Sequence, residues 1–253
     1  MLFHWMEVSE ASGRIARAMK RAILTATVVL CVFLAPIAHA GERSLTVLLA
    51  GTPDGDTFEI DLSLDGRTYT IDSVAPLEVG GGVCWHPGGA PLELLCEAPP
   101  IVGFEVDAGP GDDLVAVGAG VPVPVTILGG AGADRLLGGG GQDRIAGETG
   151  NDWIAGGGGA DQLFGNFGDD TLVGGAGDDQ LRGESGEDSL SGGVGNDREL
   201  GGPGNDMLAG GPGDDRLNGG GGSDQVYGGT GNDAITGGRS DRIEPGPGKN
   251  VVL

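Results

Sequence analysis

Apolar side chains recur every nine residues along the second half of the chain. From Gly129 to Thr236 the sequence divides without a gap into twelve nine-residue units, such as GGAGDDQLR at 174–182. Gly occupies positions 1 and 4 and Asp occupies position 6 in all twelve units, and position 8 is apolar in eleven. The glycines predict a turn, and positions 7–9 predict a three-residue strand with one inward side chain. No segment predicts an amphipathic helix.

A strand that buries one side chain cannot hold a unit together, so the units must stack. Two strands and two turns make one coil of 18 residues, and successive coils are expected about 4.8 Å apart. Leu181 and Leu190, nine residues apart, should then face each other from opposite walls. The predicted fold is all-β: a right-handed parallel β-roll, a two-stranded β-solenoid of nine-residue repeats, with a small N-terminal β region.

The repeat is irregular at a few places. Glu199 occupies position 8 of its unit and Leu200 follows it, so we predict that this strand shifts by one residue and turns Leu200 inward. The unit at 108–116 is degenerate and is joined to the array by a twelve-residue connection. Two further degenerate units follow at 237–244 and 245–253. Atypical terminal repeats are typical of stacked arrays, which they cap.

Asp at position 6 is expected to alternate between the two edges of the roll. One edge carries Asp134, Asp152, Asp170, Asp188, Asp206 and Asp224; the other carries Asp143, Asp161, Asp179, Asp197, Asp215 and Asp233; Asp113 and Asp241 hold the corresponding place in the degenerate units. Each neighbouring pair of carboxylates costs on the order of 3 kcal/mol at an effective dielectric near 20. Cations between the coils would remove this repulsion. Carboxylate and carbonyl oxygens favour Ca²⁺ over Mg²⁺ or Zn²⁺.

Residues 41–107 have a different composition. Short segments rich in β-branched residues, such as LTVLLAG and RTYTIDSV, alternate with turn signals, which predicts a small β region. Cys84 and Cys96 are the two cysteines of this region, and an even number in an exported chain predicts one disulfide. The predicted organisation is therefore a leader over 1–40, a β region over 41–107 and a repeat array over 108–253.

Residues 1–40 have the pattern of a secretory signal peptide. Lys20 and Arg21 precede the apolar run AILTATVVLCVFLAPIA, and AHA ends at Ala40, after which we predict cleavage. Met19 is an alternative start of translation. The run is too short to span a membrane, so we expect a secreted, extracellular protein that is not inserted in one. The net charge of −23 disfavours nucleic acids and favours cations as partners.

The unit GGxGxDxUx, where U is apolar, resembles the RTX, or haemolysin-type calcium-binding, nonapeptide repeat. The resemblance covers about residues 108–253 and implies a parallel β-roll in which the position-6 Asp and turn carbonyls bind Ca²⁺ between coils. It also implies an array that is disordered without calcium and folds outside the cell. Five gaps along each edge would hold about ten ions. RTX proteins often leave the cell through a C-terminal signal, whereas the N-terminal signal here favours the general secretory route.

Enzymes are often attached to such arrays, but this sequence favours a protein without catalytic activity. His86 is the one histidine left after the predicted cleavage, so an HExxH metal motif cannot form, and no GxSxG motif is present. Two alternatives to a calcium-operated folding unit stay open. One is an adhesion or matrix protein with an unknown cell-envelope partner, in which calcium is only a structural cement. The other is the accessory part of a secreted hydrolase.

Overall fold

The computed structural model describes residues 29–33, 45–50, 55–62, 68–73, 78–79, 84–85, 93–97 and 101–253. All regular structure in these ranges is β, which confirms the predicted all-β class. Within the same ranges, no helix is long and apolar enough to cross a membrane. His86 and most of the predicted leader, including the cleavage site, lie outside the described residues.

Twenty-four strands are described. The first eight are β1 (Val29–Phe33), β2 (Leu45–Ala50), β3 (Thr57–Leu62), β4 (Thr68–Ser73), β5 (Glu78–Val79), β6 (Cys84–Trp85), β7 (Glu93–Glu97) and β8 (Ile101–Pro110). The next eight are β9 (Leu114–Val117), β10 (Val125–Ala131), β11 (Arg135–Gly139), β12 (Arg144–Thr149), β13 (Trp153–Gly158), β14 (Gln162–Phe167), β15 (Thr171–Ala176) and β16 (Gln180–Ser185). The last eight are β17 (Ser189–Val194), β18 (Arg198–Pro203), β19 (Met207–Pro212), β20 (Arg216–Gly221), β21 (Gln225–Thr230), β22 (Ala234–Thr236), β23 (Arg242–Glu244) and β24 (Val251–Val252).

The strands alternate between two sheets of twelve. From β8 onward the even-numbered strands follow one another in the first sheet and the odd-numbered strands, from β9, in the second. All these neighbours pair in parallel, so each coil contributes one strand to each sheet, as in the predicted β-roll. Leu163 pairs with Leu181 in the first sheet and Leu172 with Leu190 in the second, 18 residues apart in each case.

Aliphatic side chains from both sheets meet in a thin core. Leu181 and Leu190 lie in opposite sheets, as the nine-residue interval predicts. The inward positions of the array are at most 2 % exposed and comprise Val115, Ile127, Leu136, Ile145, Ile154, Leu163, Leu172, Leu181, Leu190, Leu208, Leu217, Val226 and Ile235. Each coil adds two such residues, so neighbouring coils supply most of the contacts of any one of them.

The strands are longer than the three residues predicted. Gln180–Ser185 covers positions 7–9 of one unit and positions 1–3 of the next, so the turn has three residues. Pairing omits position 1 and resumes at position 2, where φ is positive in every unit, even at Glu148, Asn166 and Glu184 (φ 73–79°). Position 1 is skipped on both partner strands and position 2 is left-handed on both, so the register is unchanged and pairing continues. The glycines at positions 1 and 2 therefore belong to the strand.

The predicted shift at Glu199 is wrong. Glu199 pairs with Leu181 and Leu217 in unbroken register, and its side chain is 1 % exposed among the aliphatic residues of the core. Leu200 stays on the outer face. A one-residue slip would put every side chain of the strand out of register with its two neighbouring strands. Losing this register therefore costs more free energy than burying one carboxyl group.

The stack of coils continues into the N-terminal β region. Strand β2 pairs in parallel with β8, and β3 with β9, whereas β3, β4, β7 and β6 follow one another in antiparallel pairs. The register places Cys84 opposite Cys96 on β6 and β7. Opposite Cα atoms in antiparallel strands are about 4.5–5.5 Å apart, within the range a disulfide needs. The disulfide itself stays a prediction.

Candidate metal centre

The turns bring the position-6 aspartates into two files, one along each edge of the stack. In each file the backbone N–H of one Asp donates to the Oδ1 atom of the Asp one coil further on. The bond lengths are 2.8 Å from Asp152 to Asp170 and 2.9 Å from Asp179 to Asp197. We call these two files the inner ladders. They contain all twelve aspartates of the regular units, with Asp113 at the start of one of them.

Each carboxylate of the inner ladders has one oxygen without a hydrogen-bond donor. The side chains are at most 3 % exposed, and the unpartnered atoms are Oδ2 of Asp113, Asp134, Asp143, Asp152, Asp161, Asp170, Asp179, Asp188, Asp197, Asp206, Asp215, Asp224 and Asp233. A buried anionic oxygen without a partner is strongly unfavourable, because burial removes its hydration and nothing replaces it. A protein built with thirteen such atoms requires either protons or cations at these positions.

Backbone carbonyls lie close to these oxygens. A methyl group placed on Gly138, at position 1, would lie 2.5 Å from Asp143 Oδ2 and 2.8 Å from the carbonyl oxygen of Gly156 in the next coil. The same two kinds of oxygen surround Gly129, Gly165, Gly174, Gly201 and Gly210. Position 1 must therefore be Gly, since any side chain would collide with the oxygens gathered there.

This donor set fits a hard cation that accepts many oxygen ligands. Among the described residues, no three Asp, Glu, His or Cys side chains converge closely enough to hold a metal ion by themselves. Backbone carbonyls would therefore have to supply most of the coordination, with the aspartates of successive coils supplying the charge. Mixed carboxylate and carbonyl coordination with flexible geometry is typical of Ca²⁺ and unsuited to Zn²⁺, which takes nitrogen and sulfur ligands.

The electrostatic cost of the inner ladders appears in the pKa values of their carboxyl groups. Burial raises the pKa of Asp143, Asp170 and Asp179 from 3.8 to about 7. The N–H donated by the preceding coil lowers these pKa values in part, and the charges of aspartates in the same file raise them again. Without a cation, burial in the folded state therefore favours the protonated form of these three carboxyl groups up to about neutral pH.

A second pair of files runs outside the first, at position 5. There the N–H group donates to the side-chain oxygen of the coil before, as from Asn196 to Asp178 Oδ1 (2.8 Å) and from Asp214 to Asn196 Oδ1 (2.9 Å). These side chains are exposed, and we call the files the outer ladders. Sequence reasoning missed this hydrogen-bonding role of position 5. The frequent occurrence of Asp and Asn at this position, seven times in twelve units, was the available signal for a hydrogen-bonding role.

The inner ladders end differently at the C-terminal side. Asp241 accepts from Asp224 N at 3.2 Å, but its second oxygen accepts from Gly238 N, so it lacks the unpartnered atom of the other aspartates. Asn250 accepts from Asp233 N at 2.8 Å and donates to two backbone carbonyls. A neutral side chain thus serves as the last acceptor of its ladder. Asp241 differs in geometry from the other predicted ligands.

The N-terminal end of the inner ladders differs from the sequence prediction at two places. The predicted twelve-residue connection is shorter, because β10 begins inside it and Ile127 pairs with Ile145 as a regular position 8. Val125 takes the place of Asp in that half-coil and donates its N–H to Asp143 Oδ1 at 2.8 Å.

Asp56, which sequence reasoning missed, is 5 % exposed and donates its N–H to Asp113 Oδ1. The segment GTPDGDTFE at 51–59 has the Gly of position 1 and the Asp of position 6 but lacks the glycines of positions 2 and 4.

Comparison with protein families gives one match. The model of the RTX calcium-binding nonapeptide repeat (4 copies) matches the chain four times, at residues 128–163, 138–172, 164–199 and 200–235. No curated protein and no solved structure matches the chain significantly. The matched segment is the part of the chain in which the inner ladders are regular.

Proposed function

Because residues 128–235 are RTX calcium-binding nonapeptide repeats, we propose that the chain is an exported protein whose β-roll folds when Ca²⁺ binds between its stacked coils. The observation that carries this proposal is the set of thirteen buried aspartate oxygens without hydrogen-bond donors. Their charges oppose folding until a cation joins successive coils. When no site exists in the unfolded chain, the free energy of binding is free energy of folding.

The inner ladders would hold these ions. Each gap between successive coils offers two aspartates of one file and the carbonyls of the position-1 glycines, as around Gly138. Five gaps along each regular file would take about ten ions in all. Five Ca²⁺ along one regular file supply ten positive charges against its six carboxylates, so the repulsion between the buried carboxylates is removed. The carboxyl groups of the inner ladders can then be buried without being protonated.

In this proposal the chain folds only after it has been exported across the membrane. The N-terminal pattern of basic residues, apolar run and AHA supports a general secretory route with cleavage after Ala40. A chain that stays unfolded at low calcium can pass a narrow channel and fold where calcium is abundant. The protein would have no catalytic activity of its own, in keeping with the lack of HExxH and GxSxG motifs.

Isothermal titration calorimetry on the cleaved chain tests the calcium part of this proposal. We expect about ten Ca²⁺ per chain and no comparable heat from Mg²⁺. A stoichiometry of one or two ions would contradict the assignment of the inner ladders.

Fractionation of cells that express the full chain tests export. A variant lacking residues 1–40 is the control and should stay in the cytoplasm.

A further inference from the structure

The two outer faces of the β-roll carry different charges. Positions 7 and 9 point outward on both sheets. On five consecutive strands of the second sheet, β13 to β21, these positions hold no charged residue. On five consecutive strands of the first sheet, β12 to β20, they hold no carboxylate but four exposed arginines: Arg144, Arg182, Arg198 and Arg216. We call the outward positions 7 and 9 of these five strands the arginine strip.

The arginines of the strip repel one another. Arg198 lies directly opposite Arg216 on the neighbouring strand, and Arg182 lies one strand further on, opposite Leu200. Like charges on adjacent strands destabilise a sheet. Within the part of the chain that the structure describes, the one ion pair joins Arg242 to Glu244, so no arginine of the strip forms an ion pair. A net charge of −23 makes a cluster of unpaired arginines all the more unusual.

An aromatic ring fixes part of the strip. The Arg144 guanidinium lies 4.5 Å from the centre of the Phe164 ring, and that of Arg182 lies 5.7 Å from it. Arg144 also donates to Gln162 at 3.0 Å. These contacts hold the guanidinium groups near the sheet surface and cover the ring. The ring is then not free to stack on a nucleobase, as single-stranded nucleic acids would require.

The shape of the strip selects an extended partner. Positions 7–9 span about 7 Å along each strand, and the five strands span about 19 Å across the sheet. Acidic turns border both long sides of the strip, and Glu148 and Glu184 stand on the side of positions 1–3. A membrane surface or a nucleic-acid duplex would cover these carboxylates together with the arginines. A single anionic chain fits between them.

We propose that the arginine strip binds a linear anionic polysaccharide along the stacking direction of the coils. Carboxylate or sulfate groups on such a chain accept paired hydrogen bonds from guanidinium groups, which are planar and permanently charged. This surface goes beyond calcium binding and rests on the proposed function in one respect. Ions in the inner ladders neutralise the turns beside the strip, so the polymer binds the calcium-loaded protein.

Binding of dextran sulfate tests the proposal, with neutral dextran as the reference polymer. The leader-free chain is used in saturating calcium. The test variant is Arg182→Gln/Arg198→Gln/Arg216→Gln, and the control is Arg135→Gln/Arg239→Gln/Arg242→Gln, which removes the same charge from exposed residues outside the strip. We expect the test variant to bind dextran sulfate at least ~10-fold more weakly, because three guanidinium contacts are lost, and the control to stay within about twofold.

Circular dichroism must first show the same calcium response in both variants. Loss of polymer binding by the arginine strip can then be distinguished from loss of calcium-dependent folding. Equal weakening in the two variants would overturn the proposal, since it would indicate long-range charge alone. Equal binding of dextran sulfate and dextran would overturn it too. Tighter binding to phosphatidylserine vesicles or to DNA would replace the polysaccharide by another partner. Sedimentation that shows strip-dependent dimers would replace it by a second copy of this chain.

Discussion

The inner and outer ladders perform the same backbone task with different residues. Both accept N–H groups between coils at 2.8–2.9 Å in the middle of the array. The outer ladders do this with Asp at some coils and Asn at others, whereas all twelve regular positions of the inner ladders are Asp. Asn250 shows that an amide oxygen also serves the inner geometry. The hydrogen bond therefore requires only an oxygen, and the charge at position 6 must serve another purpose.

Exposure explains the difference. An outer carboxylate keeps its hydration, so its charge costs little whether or not a cation is present. An inner carboxylate is buried and has one oxygen without a donor. Its charge is useful only if a cation is bound, and then it contributes most of the attraction. We therefore expect the inner ladders to be the part of the molecule whose stability depends on calcium.

Neutralising two inner carboxylates should have the largest effect. Asp170→Asn/Asp188→Asn keeps both Oδ1 acceptors but removes two charges next to one gap, so we expect the calcium midpoint of folding to rise by ~10-fold and one or two ions to be lost. Asp169→Asn/Glu187→Gln removes the same charge from the adjacent outer ladder and should shift the midpoint less than about twofold. Calcium titrations followed by circular dichroism measure both. Equal shifts would remove the distinction between the ladders.

Filling the space beside an inner carboxylate should come next. Gly138→Ala puts a methyl group 2.5 Å from Asp143 Oδ2, so the calcium-loaded protein should lose about 2 kcal/mol of unfolding free energy. Gly221→Ala is the matched control. Nothing lies within 4 Å of a methyl group there, and φ is not positive. Urea denaturation in saturating calcium measures both variants. An unchanged Gly138→Ala protein would show that the oxygens are not gathered at position 1.

Glu199 is a buried carboxyl group outside either ladder, and replacing it should stabilise the fold. Its Oε1 accepts from Gly192 N at 2.7 Å, its Oε2 has no donor, and burial raises its pKa to about 8. Glu199→Leu restores the aliphatic row and should raise the unfolding free energy by about 1–3 kcal/mol. Glu199→Gln keeps the hydrogen bond and should gain less. A destabilised Glu199→Leu protein would give this carboxylate a role that its contacts do not reveal.

Protons should replace calcium weakly in the inner ladders. Burial raises the pKa of Asp134 from 3.8 to about 6 and the pKa values of Asp143 and Asp170 from 3.8 to about 7. Between pH 3.8 and about pH 7, the folded calcium-free chain therefore binds more protons than the unfolded chain. Its stability therefore falls as pH rises through this range. In calcium-depleted buffer we expect more β signal in circular dichroism near pH 5 than near pH 8. Asp170→Asn/Asp188→Asn should show a weaker dependence, and a signal that grows with pH would contradict the assignment.

The nine-residue pattern was enough to predict the two sheets, the inward leucines and the separation of the aspartates into two files. It was not enough to predict strand length, because pairing resumes after the unpaired position 1, through a residue of positive φ at position 2. The position of Glu199 was not predicted, because the local pattern favours an inward Leu200 and the register of the two neighbouring strands overrides it. Asp56 was missed because its coil is completed by strands far away in sequence.

Calcium titration of the leader-free chain, followed by far-UV circular dichroism, tests the central claim most directly. Bound Ca²⁺ is predicted to be required for folding. The β signal should therefore be absent in excess EGTA at neutral pH, appear cooperatively as free Ca²⁺ reaches the high-micromolar to millimolar range, and not appear with the same concentrations of Mg²⁺. A full β signal in excess EGTA would contradict the claim and leave a solenoid that folds without metal.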